Sequence, residues 1–556
     1  MGRRVGIDVG GTFTDAVLID GSRIEDKAKV PTHPEDLLTT ILNAIDSLQI
    51  SGRQPVEQIT VSTTLVTNAI LQGRFPHVEL CLLPGSGMSL SSFTWPVAYQ
   101  VLAGAVDYRG LEISPVNELE CQRLVQKWKQ RGRISHVAVV GKFSHRNKVL
   151  EEAVATYVER ALPEVRIALG YEWGQSNFYR RSLTTYLNLA SHDLYNDFAD
   201  KLQAAVVTRG FKASIYVLKG DGGVLPLRKV RPVESIYSGP TASVLGALAQ
   251  SEERTSFVVV DIGGTTTDLG IVLSGSPLVS TGGAQIGSFS TLVRSLAVRS
   301  VPVGGDSVVI TDGSNFSLAA YRLGPAFCLG GPAPTPTDAM CYLGLVDYGN
   351  RERATEAMAA LVGEERRNPE ELSRLAQSIL DKMVEKIARQ IEELQQEWQE
   401  EPAYKVWEVL HPHDALNFYA WVSGGAALGI AGPLGQRLHA PVHIGKYPGY
   451  SNAIGAAMAK PTFSCTLHLD TFLRRYRVEE SGEQGEWTGA RRPHQEVAAF
   501  LTGIAQRQAA EKEIELLDPH TEPFDFFPIV HGYQTVGQIV RGAIHVAPGV
   551  VGRVEA

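Results

Sequence analysis

The sequence has little of what several large protein classes require. It has no run of about 18 apolar residues, the minimum for a membrane-spanning helix, so no span is expected. Its five cysteines (Cys81, Cys121, Cys328, Cys341, Cys465) are scattered, without a Cys-x-x-Cys pair. That spacing offers no structural zinc or iron–sulfur site and fits a reducing compartment. Lysine and arginine form no block, and 52 basic against 60 acidic residues leave a net charge of −8. Nucleic acid and anionic membranes are therefore not expected partners; a small molecule or a protein is. The N-terminus "MGRRVGIDVGG" has two arginines but no apolar core or small-residue cleavage site, and Met-Gly-Arg-Arg lacks the Ser/Thr of a myristoylation signal. Neither a signal peptide nor a lipid anchor is expected, and the expected location is the cytoplasm. Histidine clusters are equally unhelpful: "HPHD" (411–414) reads as a solvated turn, and "SHRN" (144–147) and "SHDLYN" (191–196) lack ligand spacing. No nucleophilic triad can be read, because triads are defined by spatial geometry.

What the chain does have is one unusual phrase written twice. "VGIDVGGTFTDAVLID" begins at Val5, and "VVVDIGGTTTDLGIVL" begins at Val258. In each, an apolar run suited to a buried strand meets Asp-x-Gly-Gly-Thr and resumes as a β-rich segment, which predicts a hairpin. Glycines let the backbone approach a ligand closely, and successive N–H groups in such a turn form a concave anion site to which threonine hydroxyls add donors. An aspartate at the strand end can hold Mg²⁺ beside phosphates. Two copies in a chain of 556 residues, long enough for two to four domains, imply two similar lobes facing one cleft with a single nucleotide between them.

Two later segments suit the same cleft. "AWVSGGAALGIAGPLGQRL" reads as a strand (Phe418 to Val422), Ser423-Gly424-Gly425, then a helix, a pattern that lets a nucleoside approach the backbone. In "PGYSNAIGAAMA", Ser451 or Asn452 is expected to cap a helix of small residues through Met458, which would let two helices cross closely at a hinge.

Together these motifs resemble the actin, heat-shock chaperone and sugar-kinase superfamily, and within it the hydantoinase A and 5-oxoprolinase family. The matching segments are "DVGGTFTD" (8–15), "STTLVTNAIL" (62–71), "GDGGV" (220–224), "SGPTASVLGA" (238–247), "DIGGTTTD" (261–268) and "RLGPAFCLGGPAPTPTDA" (322–339), followed by "SGGAALGIAGPL" and "PGYSNAIGAA". Departures from the family pattern fall outside the two phosphate loops, at "GDGGV", "VGGDSVV" (303–309), "PAFCLGG" and "SGPTASV", so ATP handling looks retained and substrate identity open.

The resemblance implies an α/β fold with two actin-like (ribonuclease H-like) lobes around an ATP cleft, plus a smaller β-rich C-terminal region. Alternating strand-like and helical segments agree with α/β. The expected divisions are 1–250, 251–460 and 461–556, the last with an interaction or lobe-bracing role. Helices are expected at 34–48 and 494–516, and the apolar stripe Leu372, Leu375, Ile379, Met383, Ile387, Ile391, Leu394 and Trp398 predicts a long helix. That stripe fits core packing, with a subunit contact in an oligomer left open.

By the same resemblance, ATP would phosphorylate the oxygen of a cyclic amide such as a hydantoin, 5-oxoproline or a lactam, making its carbon electrophilic for water. Relatives use the module for ATP-dependent carboxylation of ketones such as acetone. A separate hydantoinase B-type subunit would complete the chemistry. Asp8 and Asp261 would lie around Mg²⁺, with Asp261 orienting or deprotonating the attacking oxygen. Gly10, Gly11, Thr12 and Thr14 would hold phosphates from one lobe, Gly263, Gly264, Thr265 and Thr267 from the other. Gly424 and Gly425 would meet the adenosine. Thr64 and Asn68 would face the substrate, with Asp306 and Asp338 as weaker candidates, Asp338 having a helix cap as its alternative. A small-molecule kinase and an actin-like ATP switch acting on a protein client are the other classes the phosphate loops allow.

Overall fold

Both repeated phrases fold as hairpins inside sheets. In the computed structural model, which describes residues 2–50, 55–132, 134–252, 255–311, 315–400 and 419–555, strand Arg3–Val9 pairs antiparallel with Phe13–Asp20. Strand Phe257–Ile262 pairs the same way with Thr267–Leu273. The "HPHD" turn lies outside the described residues, as does Phe418.

Each hairpin has the same neighbour. Val56–Thr63 runs parallel to the first strand of one hairpin, and Tyr419–Ser423 runs parallel to the first strand of the other. Further parallel strands follow outward, Ser214–Leu218 in the first sheet and Val442–Ile444 in the second. Strands flanked by pairing partners on both sides must be apolar on both faces, and Val5, Ile7, Val259 and Val260 are all fully buried. The two sheets thus share an order, and they differ in what fills the crossover. In the first lobe a single short helix, Leu37–Asp46, connects the edge strand Arg23–Pro31 to Val56–Thr63. The helix starts later than the expected residue 34 because Asp36 is its cap, its carboxylate accepting from Thr39 N at 3.0 Å.

In the second lobe the crossover carries the long helix, Pro369–Glu400. Its stripe from Leu372 to Trp398 is buried in the second-lobe core, with Leu375 half-buried, so the core-packing alternative describes it. A separate four-stranded parallel sheet (Arg166–Leu169, His136–Gly141, Val78–Leu83, Tyr99–Val101) extends the first lobe.

Two helices join the lobes by exchange. Ser238–Gln250 follows the first-lobe strands and packs on the second-lobe hairpin, where Val244 fills the space a Cβ at Gly270 would take. Ser451–Met458 follows the second-lobe strands and packs on the first, where Gly6 leaves room for Ala453 and Ala457. The helices cross with their backbones in contact: a Cβ at Gly246 would overlap the Ser451 carbonyl, and one at Gly455 would overlap that of Ala242. The small-residue run is what permits this crossing.

The C-terminal sheet centres on Phe463–Asp470 and the long strand Gln534–Val546, with helix Glu496–Glu511 covering one face through Val497, Leu501 and Ile504. Its side chains reach the first lobe. Arg477 Nη1 donates to Gly174 O at 2.7 Å and Gln484 Nε2 to Ser144 O at 2.8 Å. The tail then returns along the helix crossing, Val551 N donating to Met458 O and Val554 N to Ala249 O, both at 2.8 Å. No helix among the described residues is long and apolar enough to cross a membrane.

Candidate functional site

The strand ends of the two hairpins bring Asp8 and Asp261 to one place. Register puts Ser62 beside Asp8 and Ser423 beside Asp261 on the parallel neighbours. Ser62 Oγ donates to Asp8 Oδ1 at 2.7 Å, and Ser423 Oγ donates to Asp261 Oδ1 at 3.1 Å. The remaining oxygen of each carboxylate faces a single shared donor. Asn452 Nδ2 donates to Asp8 Oδ2 at 3.3 Å and to Asp261 Oδ2 at 3.0 Å, one amide hydrogen for each.

Asn452 therefore does not cap its helix as expected. The helix begins at Ser451 directly after a 3₁₀ turn, Tyr450 occupies the cap position without a side-chain bond, and the amide is directed to the carboxylates instead.

Burial dominates the electrostatics of this pair. It pushes Asp8 up to about 7, opposed by the Ser62 and Asn452 hydrogen bonds and reinforced by the negative charges of Asp15 and Asp261. Asp261 is pushed up for the same reason, opposed by Asn452, Ser423 and the Lys29 ammonium. Their cross-strand partners follow: burial raises Asp15 against its Lys29 partner, and raises Asp268 to about 7 against a hydrogen bond from Ser300. So many buried acidic groups in one place attract a cation.

The Gly-Gly turns close identically, Gly10 N donating to Phe13 O at 3.1 Å and Gly263 N to Thr266 O at 3.0 Å. They also face each other, since a Cβ on Gly264 would lie 3.3 Å from Thr12 Oγ1. Thr12 and Thr265 are half-buried at the turns. Thr14 and Thr267, expected to hold phosphates, are fully buried and turned away, Thr14 Oγ1 bonding Thr32 Oγ1 at 2.9 Å and Thr267 Oγ1 donating to Val303 O at 2.8 Å. At that position the hydroxyl fixes the strand rather than facing the turn.

Asp306 lies against the second turn, its N–H donating to Gly264 O at 2.7 Å. Burial raises its carboxyl to about 6, with Arg322 pulling it down and Asp338 pushing it up. Arg322, on the second-lobe side, reaches the first turn, donating to Thr12 Oγ1 and to Gly11 O, the latter at 2.6 Å.

Gly424 has φ +92, and a Cβ there would overlap Ile262 O, so only glycine lets this loop lie against the second hairpin. Gly425 is exposed with nothing within 4 Å of a would-be Cβ, which leaves open space for a ligand. Thr64, at the N-cap position of helix Leu65–Leu71, and Asn68 on that helix are bonded to each other, Asn68 Nδ2 donating to Thr64 Oγ1 at 3.2 Å. Asn68 also lines a cavity of about 420 Å³ with Leu65, Gln72 and Phe198. Asp338 is fully buried; Phe327 N, Cys328 N and Thr335 N and Oγ1 all donate to it, so the cap alternative describes its contacts and it does not face the cleft.

Asn452, Arg322, Ser62 and Ser423 are the residues sequence reasoning missed. The serines had a signal, since "ITVST" and "AWVSG" each place a serine at or next to the end of an apolar strand, a second repeat beside the first.

Among the described residues no three His, Cys, Asp or Glu side chains gather as a metal cage. Two carboxylates facing two glycine turns are nevertheless a fitting donor set for Mg²⁺, which keeps waters and takes further ligands from phosphate oxygens.

Known proteins share long stretches of this sequence and its fold. A model described as hydantoinase/oxoprolinase matches residues 181–464, and one for the hydantoinase/oxoprolinase N-terminal region matches residues 4–162. The caprolactamase subunit alpha of Pseudomonas jessenii is 26% identical over 410 residues, covering 65% of this chain and 58% of that one. The acetophenone carboxylase gamma subunit of Aromatoleum aromaticum is 27% identical over 411 residues, covering 64% and 55%. The chain thus spans somewhat over half the length of these two relatives.

In fold, it matches nucleotide-free acetone carboxylase at a TM-score of 0.70 with 15% identity, over 98% of this chain and 87% of that one. It also matches a chain of the ATP-dependent Pseudomonas jessenii caprolactamase at 0.68 with 20% identity, over 98% and 86%.

Proposed function

Since the chain belongs to the hydantoinase/oxoprolinase family, we propose that it is the ATP-dependent subunit of an enzyme that activates a cyclic amide for hydrolytic ring opening. The observation that carries this reading is the pair of opposed glycine turns over Asp8 and Asp261, held together by Asn452. The 26% identity to a caprolactamase subunit supports a lactam-like substrate.

In this reading the N–H groups of Gly10, Gly11, Gly263 and Gly264 bind the phosphates, with Thr12 and Thr265 as additional donors. Asp8 and Asp261 would hold Mg²⁺, which supplies positive charge beside the phosphates. Phosphoryl transfer is mainly positioning and charge stabilisation, and Arg322 is the side chain placed to neutralise charge at the first turn. The amide oxygen attacks the γ-phosphorus, ADP leaves, and water adds to the activated carbon, releasing phosphate and the ring-opened amino acid. Asp261 orients the attacking group. Gly425 receives the nucleoside on its open side. A separate B-type subunit completes the site.

A second reading, carboxylation of a ketone, has a specific observation in its favour, the 27% identity to an acetophenone carboxylase subunit. The two readings share activation of a carbonyl oxygen and part at what the activated group meets.

The test is isotopic. The chain is purified with whatever subunit accompanies it and incubated with Mg-ATP and ¹⁸O-carbonyl caprolactam, hydantoin or 5-oxoproline. Transfer of ¹⁸O to inorganic phosphate is the expected result. Ring opening with the label wholly retained in the carboxylate would overturn the phosphorylation step. Turnover only with acetone or acetophenone plus bicarbonate would replace the first reading with the second.

A further inference from the structure

A second enclosed space lies where the C-terminal region meets the lobes, and it shares no residue with the two hairpin turns. The pocket holds about 90 Å³. Its wall is built from the "KGDGGV" turn, the strand that follows the small-residue helix, and the end of helix Glu496–Glu511. Lys219, Lys229, Arg231, Arg294 and Lys512 face it, as do Asp221, Glu234, Glu479 and Glu480.

The acids are satisfied from within the protein. Asp221 takes Lys219 Nζ and Thr462 Oγ1, each at 2.9 Å, and Gly223 N at 3.0 Å. Glu480 takes Thr466 N at 2.7 Å and Thr466 Oγ1 at 2.9 Å. Glu479 takes His468 Nε2 at 2.7 Å, and Glu234 takes Arg231 N at 3.1 Å.

The cations are less well served. Lys219 and Lys229 have carboxylate partners, Asp221 at 2.9 Å and Glu513 at 3.0 Å. Arg231 stacks on Trp173 with its guanidinium carbon 4.3 Å from the ring centre and donates to Glu172 O at 3.2 Å. Arg294 donates to Ser464 Oγ. Lys512 has the Phe463 ring 5.7 Å from its nitrogen and, among the described residues, no hydrogen bond or carboxylate within ion-pair distance. A partly buried ammonium without an acceptor is costly, and buried charges are ordinarily paired. Burial together with Lys219 and Arg231 pushes the Lys512 ammonium below its usual value, against the pull of Glu234 and Glu480. An anion beside it would reverse that push.

We propose that this pocket is a peripheral site for a small oxyanion, a carboxylate or a phosphate, held by Lys512 with Arg231 and Arg294 at its walls. The volume suits a group of a few heavy atoms, being several times what one water needs. Ser464 and the Arg231 fork supply the directional donors that such an anion uses. Because Phe463 follows the helix crossing and Lys512 ends the C-terminal helix, the bound anion ties the C-terminal region to the lobes.

The test is calorimetric titration of the full chain with sodium phosphate and, separately, sodium acetate at constant ionic strength, for wild type and Lys512→Met. Saturable binding of one anion that weakens at least tenfold in Lys512→Met, with Mg-ATP affinity unchanged, is the expected result. The anion that binds decides between the two sources. If Lys512→Met does not fold, Arg294→Gln, on the exposed wall, replaces it with the same expected weakening. No saturable binding of either anion, or equal binding by the variant, overturns the proposal; equal phosphate binding would place that anion in the nucleotide cleft.

Discussion

Removing the Asn452 amide is the sharpest perturbation of the carboxylate pair. Asn452→Ala deletes one donor to Asp8 Oδ2 at 3.3 Å and one to Asp261 Oδ2 at 3.0 Å and leaves the rest of the helix crossing in place. A hydrogen bond to a charged group contributes about 1.5–3 kcal/mol, and the longer Asp8 bond belongs at the lower end. At 1.36 kcal/mol per pKa unit, losing about 1.5 kcal/mol from the ionised form raises the Asp8 titration by roughly one unit. Burial already pushes Asp8 up to about 7, so in the variant the carboxylate pair should reach its ionised form about one pH unit higher, near pH 8.

An ionised carboxylate is what a divalent cation requires, so the readout is the Mg²⁺-dependent part of ATP affinity. The ratio of Kd without and with Mg²⁺ is measured from pH 6 to 9. The acid limb should rise through about pH 7 in the wild type and about pH 8 in Asn452→Ala, with the two curves converging at pH 9. The pair titrates as a coupled unit, so the shift belongs to the pair and not to Asp8 alone. Superimposable limbs in two well-folded proteins would refute the bridging role. A uniform loss at every pH would show that Asn452 matters only for shape.

Asp8→Asn should abolish Mg-ATP-dependent turnover and yet stabilise the fold. A carboxyl at about 7 when folded, against 3.8 unfolded, favours folding below pH 4 and loses that contribution as pH rises through 7. The melting-temperature gain of the variant over wild type should therefore be larger at pH 8 than at pH 4, with about 4 kcal/mol as its ceiling; equal gains at both would contradict the burial argument. Arg322→Gln should raise the KM for ATP at least tenfold with little change in melting temperature, since among the described residues the half-buried arginine's hydrogen bonds go to the first turn; an unchanged KM would remove Arg322 from the site. Gly424→Ala and Gly425→Ala should part company. The first, at φ +92 against Ile262 O, should lose about 1–3 kcal/mol in denaturant unfolding, whereas the second should unfold like wild type and bind ATP more weakly. Reversed behaviour would mean that Gly425, not Gly424, is the packed glycine.

The hairpins, the long helix and the close helix crossing were legible because each is encoded locally: an apolar run that stops at Asp-x-Gly-Gly, a 3.6-residue stripe, a run of small residues. The bridges were not. Asn452 meets Asp8 across 444 residues and Asp261 across 191, and nothing near "SNAIGAA" distinguishes a bridging amide from a cap. Thr14 and Thr267 show the opposite failure. Motif position suggested that they face phosphates, but strand alternation sends every second side chain the other way, and theirs is the buried face. Thr12 and Thr265, one and two residues ahead of their strands, lie in the turns themselves.

The repeat is also broken at one informative point. Helices Ser238–Gln250 and Ser451–Met458 both begin with serine, and both put their fifth residue, Ala242 and Gly455, at the crossing. The second residue of one is Asn452, which spans both carboxylates; the second residue of the other is Gly239, with nothing within 4 Å of a would-be Cβ. Two identical ends would offer a symmetric cleft, and a nucleotide is not symmetric. In the function proposed above, an amide on one side and bare space on the other would give the cleft a direction, with cation binding at the Asn452 end and room for a substrate at the Gly239 end. Gly239→Asn, which restores the symmetry in a space that can hold the side chain, should leave Mg-ATP binding intact and obstruct turnover. Equal loss of both would show that the space at Gly239 belongs to the nucleotide.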